Sequence, residues 1–322
     1  MRMFSFMLVP RTIPQRLPLG DAGGTPIADW LMKTLWLADD VLAGPAGPPG
    51  YVQLMAMSHE ASGERRQRGS LKFHHMDWLD LDDVRIAYRV RGTGPPLLAP
   101  ECNYTWSSVV EDQLAQQFTL IVASPRDYGP STRTGGPEYI VEDWATDLQA
   151  VARHLGYDRF LFFGYSFTGA FGPWLARRLA ATNAVAAVAA GGFPLLGDYR
   201  VTLADVEEQA GALQQDPAVF AQVQQRFDPL AARAFYRDLA TLTPDTLVDD
   251  LPCPLYCFWG DQDTDAVEMV LSHEEYMAGL SRRGVPFDLH SGYDHAGLND
   301  SLDVALPAAM RWLFDRAAEQ HL

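Results

Sequence analysis

Residues 159–172 read Arg-Phe-Leu-Phe-Phe-Gly-Tyr-Ser-Phe-Thr-Gly-Ala-Phe-Gly. An apolar run of strand length, RFLFF, stops at Gly164, and helix-like text, SFTGAFGPWLARRLA, begins at Ser166. The turn between them has the form small-x-nucleophile-x-small, with Thr168 at the second small position and Gly169 directly after it. Strand and helix approach so closely at such a turn that the residues two places either side of the nucleophile must be small. The turn exposes the Ser166 hydroxyl and aims the first N–H groups of the new helix at the same spot. A bare helix N-cap is the other reading of Ser166. The strand-turn-helix context favours the nucleophile.

Outward from this turn, strand and helix patterns alternate from Met76 onward, which predicts a mostly parallel central sheet flanked by helices. DVRIAYRVRG (83–92) reads as an early strand, and LLAP (97–100) and FTLIVAS (118–124) as short strands buried on both faces. A helix is predicted over 138–155, a small-residue strand over 184–192 and a further strand in PLYCFWG (254–260). A helix across 266–282, a strand in PFDLH (286–290) and a terminal helix through 302–318 complete the pattern. Between Gly192 and Leu251 the alternation gives way to three helix-like runs, TLADVEEQAGALQQ, PAVFAQVQQRF and PLAARAFYRDLATL. The expected organisation is therefore a core over 76–192 and 252–322, a helical cap over 193–251, and an N-terminal extension over 1–75.

The extension differs from the rest in charge: it has eight Lys or Arg against six Asp or Glu, in a chain whose net charge is −16. Thr25-Pro26 and Gly44 bracket one amphipathic helix there, followed by a GPAGPPG break and a polar linker. It reads as a lid or docking arm, or as a surface helix packed on the main domain. Hydrophobic residues at 48% and charged residues at 20% suit a globular chain with a sizeable core. The acidity argues against a nucleic-acid partner, because neutralising phosphates needs clustered cations. No apolar run is long enough to span a membrane. Cys102, Cys253 and Cys257 are too few for a disulfide framework and read as reduced thiols, so the chain is expected to be cytoplasmic.

A serine hydroxyl needs a base, and the base needs an orienting acid. After a turn of this kind the chain order should be Ser, acid, His. His295 sits in SGYDHAGL, a Gly-containing loop between the last strand and the last helix, where a mobile base is needed. His290 ends a strand, His273 lies in a helix and His321 is next to the terminus. For the acid, Asp261-Gln262-Asp263-Thr264-Asp265 follows a strand directly. Asp263 is the first choice and Asp265 the second, while Asp261 is read as shaping the turn. The aspartates lack the Gly and distal Glu of a calcium loop, and no metal is expected.

With these motifs in place, the sequence from about Asp77 to about Arg316 resembles the α/β-hydrolases, in the capped branch that includes small esterases, lactonases and acyl hydrolases. Ser124-Pro-Arg-Asp-Tyr-Gly-Pro-Ser131 is similar to that family's D-x-R-G-x-G-x-S turn after the fourth strand. The resemblance implies a Ser166-His295-Asp263 triad, an acyl-enzyme and no cofactor. It also implies an oxyanion hole from the backbone N–H groups of Phe167 and Asn103. The chain departs from the family pattern after the third strand, where Glu101-Cys102-Asn103 replaces the usual His-Gly-x. Glu101 and Cys102 are read either as pocket lining, with a carboxylate that repels acidic substrates, or as a turn with a buried thiol.

The expected substrate is a small, largely apolar carboxylic ester, lactone or thioester. Tyr165, Phe227 and Tyr236, with Glu101 and Cys102, are candidates to line its pocket. A serine at the turn argues against epoxide hydrolysis and dehalogenation, whose branches of the family carry an aspartate there. Acyl transfer or cyclisation on the same triad is one alternative, and a non-catalytic ligand-binding protein on the same fold is another.

Overall fold

The computed structural model describes residues 76–322 apart from 103–104, 135–138, 225–227, 243, 265–266 and 268–269. The expected N-terminal extension and its helix therefore lie outside the described residues, as do Asn103, Phe227 and Asp265.

Eight strands form one sheet: β1 (Asp77–Leu81), β2 (Val84–Arg91), β3 (Pro96–Leu98), β4 (Thr119–Ser124), β5 (Phe160–Tyr165), β6 (Val185–Gly191), β7 (Leu255–Gly260) and β8 (Phe287–His290). Their spatial order is 1-2-4-3-5-6-7-8. β1 and β2 run antiparallel to their neighbours, and the pairs from β3–β4 to β7–β8 are parallel. β3 lies between β4 and β5, so the connections diverge there. In an open sheet of this type the crevice beyond the carboxyl ends of the strands at such a switch is where ligands bind.

β5 shows how the sequence builds the two layers. Phe160 and Phe162 join one apolar cluster, and Leu161, Phe163 and Tyr165 join the other, because successive side chains leave opposite faces of a strand. The first cluster takes Trp144 and Leu148 from α2 (Val141–His154) and Phe171 and Trp174 from α3 (Phe167–Arg178). The second takes Val110 and Leu114 from α1 (Ser108–Leu114) and Met310 and Leu313 from α10 (Leu306–Glu319). A fully buried phenylalanine such as Phe162 contributes roughly 1.5–3 kcal/mol through lost water contact.

Between β6 and β7 the described residues form α4 (Arg200–Gln214), α5 (Pro217–Gln224), α6 (Pro229–Leu239) and the single turn α7 (Thr246–Asp249). Phe235 of α6 stacks on Phe171 at 5.4 Å and meets Phe167 at 4.7 Å, which seats this helical segment on the start of α3. Asp238 accepts the Trp174 indole N–H at 2.7 Å, and Asp228 accepts the Tyr139 hydroxyl at 2.6 Å.

The structure differs from the sequence reading in several elements. β1 is an additional strand, half-exposed and paired with β2 across the Asp82-Asp83 turn, with Asp82 at φ 40°. Its weak alternation and partial burial hide it from a search for apolar runs. α1 is also additional; Ser107 caps it by accepting the Val110 N–H. The helix expected from 266 begins at His273, as α8 (His273–Arg282). There Ser272 and Glu275 form a reciprocal capping box that ends the preceding turn. The terminal helix starts at Leu306, after a short 3-10 turn at Leu302–Val304.

Candidate active site

Ser166 occupies the turn between β5 and α3 with φ 55° and ψ −125°, a backbone conformation that costs an L-residue roughly 1–3 kcal/mol. Two features hold it there. A Cβ on Gly164 would lie 2.2 Å from the Thr168 carbonyl oxygen, and one on Gly169 would lie 2.3 Å from that of Gly191. Thr168 is not a compromise at its position. Its buried hydroxyl accepts the Tyr165 N–H at 3.0 Å and donates to the Tyr165 carbonyl at 2.9 Å, clamping the turn across the serine. The Ser166 N–H is held by Gly191 O at 2.8 Å.

Three strand ends meet at this point. His295 opens α9 (His295–Asp300), which Asp294 caps by accepting the Gly297 N–H at 2.7 Å. Its Nε2 lies 2.8 Å from Ser166 Oγ, and its Nδ1 lies 2.8 Å from Asp263 Oδ2. The Asp263 carboxylate is fully buried, whereas the His295 side chain keeps 15% of its surface exposed. A dry carboxylate on one ring nitrogen fixes the tautomer that leaves the other free to accept a proton. Asp261 shapes the turn: its carboxylate accepts Ser291 Oγ–H at 2.8 Å and the Gly292 N–H at 2.7 Å. Gly260 belongs to the same junction, since a Cβ there would meet Tyr293 O at 2.0 Å. The loops that carry Asp263 and His295 are thus stitched together independently of the His295–Asp263 contact.

Phe167 is the first residue of α3, where N–H groups have no acceptor within the helix, and the helix dipole adds positive potential at the serine. Its side chain packs against Tyr128, Phe235 and Tyr236. Tyr236 is half-buried over Phe167, at 5.8 Å edge to face.

Phe227 lies outside the described residues, and Tyr165, Glu101 and Cys102 are placed differently from the reading as a pocket wall. Tyr165 is buried against His295: its ring lies 5.3 Å from the His295 ring, and its hydroxyl donates to the His295 carbonyl at 2.9 Å. Glu101 does not present a free carboxylate. It is buried and takes both ends of the Arg89 guanidinium, at 2.6 and 2.9 Å, and the Trp106 N–H at 3.0 Å. Burial alone would lower the Arg89 pKa, but its bonds to Glu101 and Glu111 raise it above the ordinary value. Cys102 is a buried packing thiol, and desolvation first, then Glu101, pushes its pKa well up.

Sequence reasoning missed the Arg89 network, the Thr168 clamp and the Tyr165 contact with His295. A signal existed for the first: Arg89 sits inside the apolar strand VRIAYRVR, where an unpaired cation is not tolerated. Among the described residues, no group of three or more His, Cys, Asp or Glu side chains is arranged to hold a metal ion. Among them, too, no helix is long and apolar enough to cross a membrane.

Comparison with known proteins agrees with this architecture. A family model described as alpha/beta hydrolase fold matches residues 99–242. Haloalkane dehalogenase 2 of Mycobacterium tuberculosis is 34% identical over 95 residues, which are 29% of this chain and 33% of that protein. The soluble epoxide hydrolase of Corynebacterium sp. (strain C12) is 32% identical over 102 residues, 30% of this chain and 34% of that protein. The match thus spans about a third of the length of these curated relatives. Among solved structures, a carboxylesterase study from Nitrososphaera gargenis superposes with a TM-score of 0.60 at 15% identity, covering 76% of this chain and all of that one. A thermophilic esterase from Thermogutta terrifontis gives a TM-score of 0.54 at 20% identity, covering 75% of this chain and 99% of that one. With its 1-2-4-3-5-6-7-8 sheet and the strained serine turn after β5, this chain has the α/β-hydrolase fold.

Proposed function

We propose that the chain is a serine hydrolase that cleaves a small, largely apolar carboxylic ester, lactone or thioester through an acyl-enzyme. The observation that carries this reading is the unbroken relay Ser166 Oγ–His295 Nε2–Asp263, with 2.8 Å at each link. His295 takes the hydroxyl proton as Ser166 Oγ bonds to the substrate carbonyl carbon, and the carbonyl π electrons move to oxygen. The backbone N–H groups of Phe167 and Asn103 would receive that oxyanion, each such donor lowering the barrier by ~3 kcal/mol. Collapse expels the alkoxide or thiolate, which leaves with the proton from His295. Water, deprotonated by the same imidazole, then attacks the acyl-serine and releases the acid.

The dehalogenase and epoxide hydrolase relatives raise a different reaction, displacement at a saturated carbon. Serine chemistry argues against it here. A serine alkylated in that way is an ether, with no carbonyl for water to attack, so turnover would stop after one cycle. The helices over 193–251, with Phe235 and Tyr236 against Phe167, support the role of a cap over an apolar substrate. Acyl transfer would use the same first half-reaction and is told apart by product analysis with competing alcohols or amines.

The test is intact mass after incubation with a fluorophosphonate, on wild type and on Ser166→Ala. One adduct on the wild type, lost in the variant, is the expected result. A well-folded wild-type protein that takes no adduct would overturn the hydrolase reading.

A further inference from the structure

Tyr165 directly precedes Ser166, at the last position of β5, and is fully buried. Its neighbours leave the ring no room to shift. It packs on Phe258 of β7 at 6.0 Å between centroids. The glycines at the end of β6 make the space it fills: a Cβ on Gly191 would lie 2.7 Å from its Cδ2, and one on Gly192, 2.5 Å from its Cζ. At the backbone, the Thr168 hydroxyl bonds both its N–H and its carbonyl. The ring is therefore as fixed as the serine turn that it adjoins. From there its hydroxyl reaches the segment after β8 and donates to the His295 carbonyl at 2.9 Å, with the two rings 32° from parallel.

His295 needs such an outside hold. It opens α9, a helix of six residues, and a helix that short does not keep its own place. The loop before it is tied to the turn after β7: Gln262 N–H donates to Tyr293 O at 2.9 Å, and Gly292 N–H to Asp261 at 2.7 Å. Both of these ties act ahead of His295 and lead to the side of Asp263. The Tyr165 hydroxyl acts on His295 itself and leads to the side of Ser166. A carbonyl held in place holds the Cα beside it, and the Cα sets where the imidazole can swing.

We infer that Tyr165 is a positioning residue, a rigid strut whose hydroxyl sets the backbone of His295 so that Nε2 stands within reach of Ser166 Oγ. This rests on the reading of Ser166 as nucleophile and His295 as its base. Proton transfer needs the two heavy atoms within ~2.6–3.2 Å, and a misplacement of about 1 Å costs up to about 100-fold in rate. The observed 2.8 Å lies inside that window. Ser166 has no freedom to close a wider gap, because Gly191 O holds its N–H and the Thr168 clamp spans its turn. The spacing must then be set from the histidine side. Tyr165 does this by the shortest route, from the residue next to the nucleophile to the backbone of the base, through a phenol ring with no torsion along its axis. Being fully buried, it acts on the geometry of the pair and not on the substrate.

The experiment compares wild type, Tyr165→Phe and Tyr256→Phe on p-nitrophenyl acetate, butyrate and hexanoate, with melting temperature alongside. Tyr165→Phe removes one oxygen and adds no atom. Tyr256→Phe is the matched control: a buried tyrosine that also packs on Phe258, with its hydroxyl on Asp288 of β8 instead of His295. Rates are divided by the number of sites that a fluorophosphonate labels at completion, so unfolded protein drops out. Tyr165→Phe is expected to lower kcat about tenfold, with KM and the preference among chain lengths within about twofold of wild type. Tyr256→Phe is expected to keep kcat within about twofold while lowering the melting temperature. If none of the esters is turned over, the second-order rate of fluorophosphonate labelling is read instead, with the same expected contrast. Equal kcat in the two variants, or a Tyr165→Phe enzyme within twofold of wild type, would overturn the assignment and leave the hydrolase reading standing. A change in KM or chain-length preference at unchanged kcat would overturn it in favour of a pocket wall. Absence of labelling in the wild type overturns both readings together.

Discussion

Asp263→Asn puts the strongest demand on the proposed relay. The wild-type carboxylate accepts the His295 Nδ1–H at 2.8 Å and lies 3.4 Å from the Val267 N–H, in a site with no solvent exposure. An asparagine fits the same space, but its NH2 group must face one of these two donors. Turned toward His295, it forces Nδ1 to accept and moves the ring proton to Nε2, where it points at Ser166 Oγ 2.8 Å away. The base then has no lone pair for the serine proton. The expected loss in kcat is ~10⁴-fold, the scale found when a triad aspartate becomes an amide. That factor corresponds to about 5.4 kcal/mol of barrier. The second-order rate of fluorophosphonate labelling, followed by intact mass, measures it without knowledge of the natural substrate. Asp261→Asn is the control. Asp261 holds Ser291 and Gly292 rather than His295, and an amide can still accept from Gly292 N–H while donating to Ser291. It should label within about tenfold of wild type. Labelling of Asp263→Asn within that same range, on folded protein, would refute the relay.

Three further outcomes follow from the geometry. Gly164→Ala should abolish soluble, folded protein in a pulse-proteolysis or melting assay, because its Cβ would meet the Thr168 carbonyl oxygen at 2.2 Å in the turn that carries Ser166. Ser272→Ala removes half of the capping box of α8 and should lower stability by about 1 kcal/mol in urea titration, with labelling of Ser166 unchanged. Cys102 and Cys257 should resist iodoacetamide at pH 8 in the native protein and react in denaturant. Burial raises both thiol pKa values, that of Cys257 to about 12, so the reactive thiolate is scarce until the core opens. Native-state modification at either position would contradict the packing described.

Much of this architecture was legible in the sequence because its determinants are local. A strand such as RFLFF announces itself by length and composition, and Gly164 is demanded by a clash with the carbonyl of Thr168, four residues along the chain. Chain order narrowed the candidates for acid and base, and position in the loops after β7 and β8 made Asp263 the first choice over Asp265, and His295 the choice over His273, His290 and His321. Elements held by partial burial were not legible. β1 is half-exposed, and its pairing with β2 depends on a neighbour rather than on its own pattern. The start of α8 was misplaced by seven residues, although Ser272-x-x-Glu275 is a start signal readable in the sequence.

The tertiary structure alone decided what Glu101, Tyr165 and Thr168 do. Each is a polar side chain at or near the end of a strand or helix that one-dimensional reading assigns to a pocket wall or a tolerated oddity. Their roles depend on partners distant in the chain or on the fold of the turn: Glu101 on Arg89, twelve residues away, and Tyr165 on His295, 130 residues away. A buried polar group must find a partner, and which partner is available is a property of packing in three dimensions. The sequence by itself determined strands β2 to β8 and the tight turn at Ser166, because these follow from sterics and periodicity along the chain. Only the fold decided that the carboxylate of Glu101 faces inward to an arginine rather than standing as a free charge.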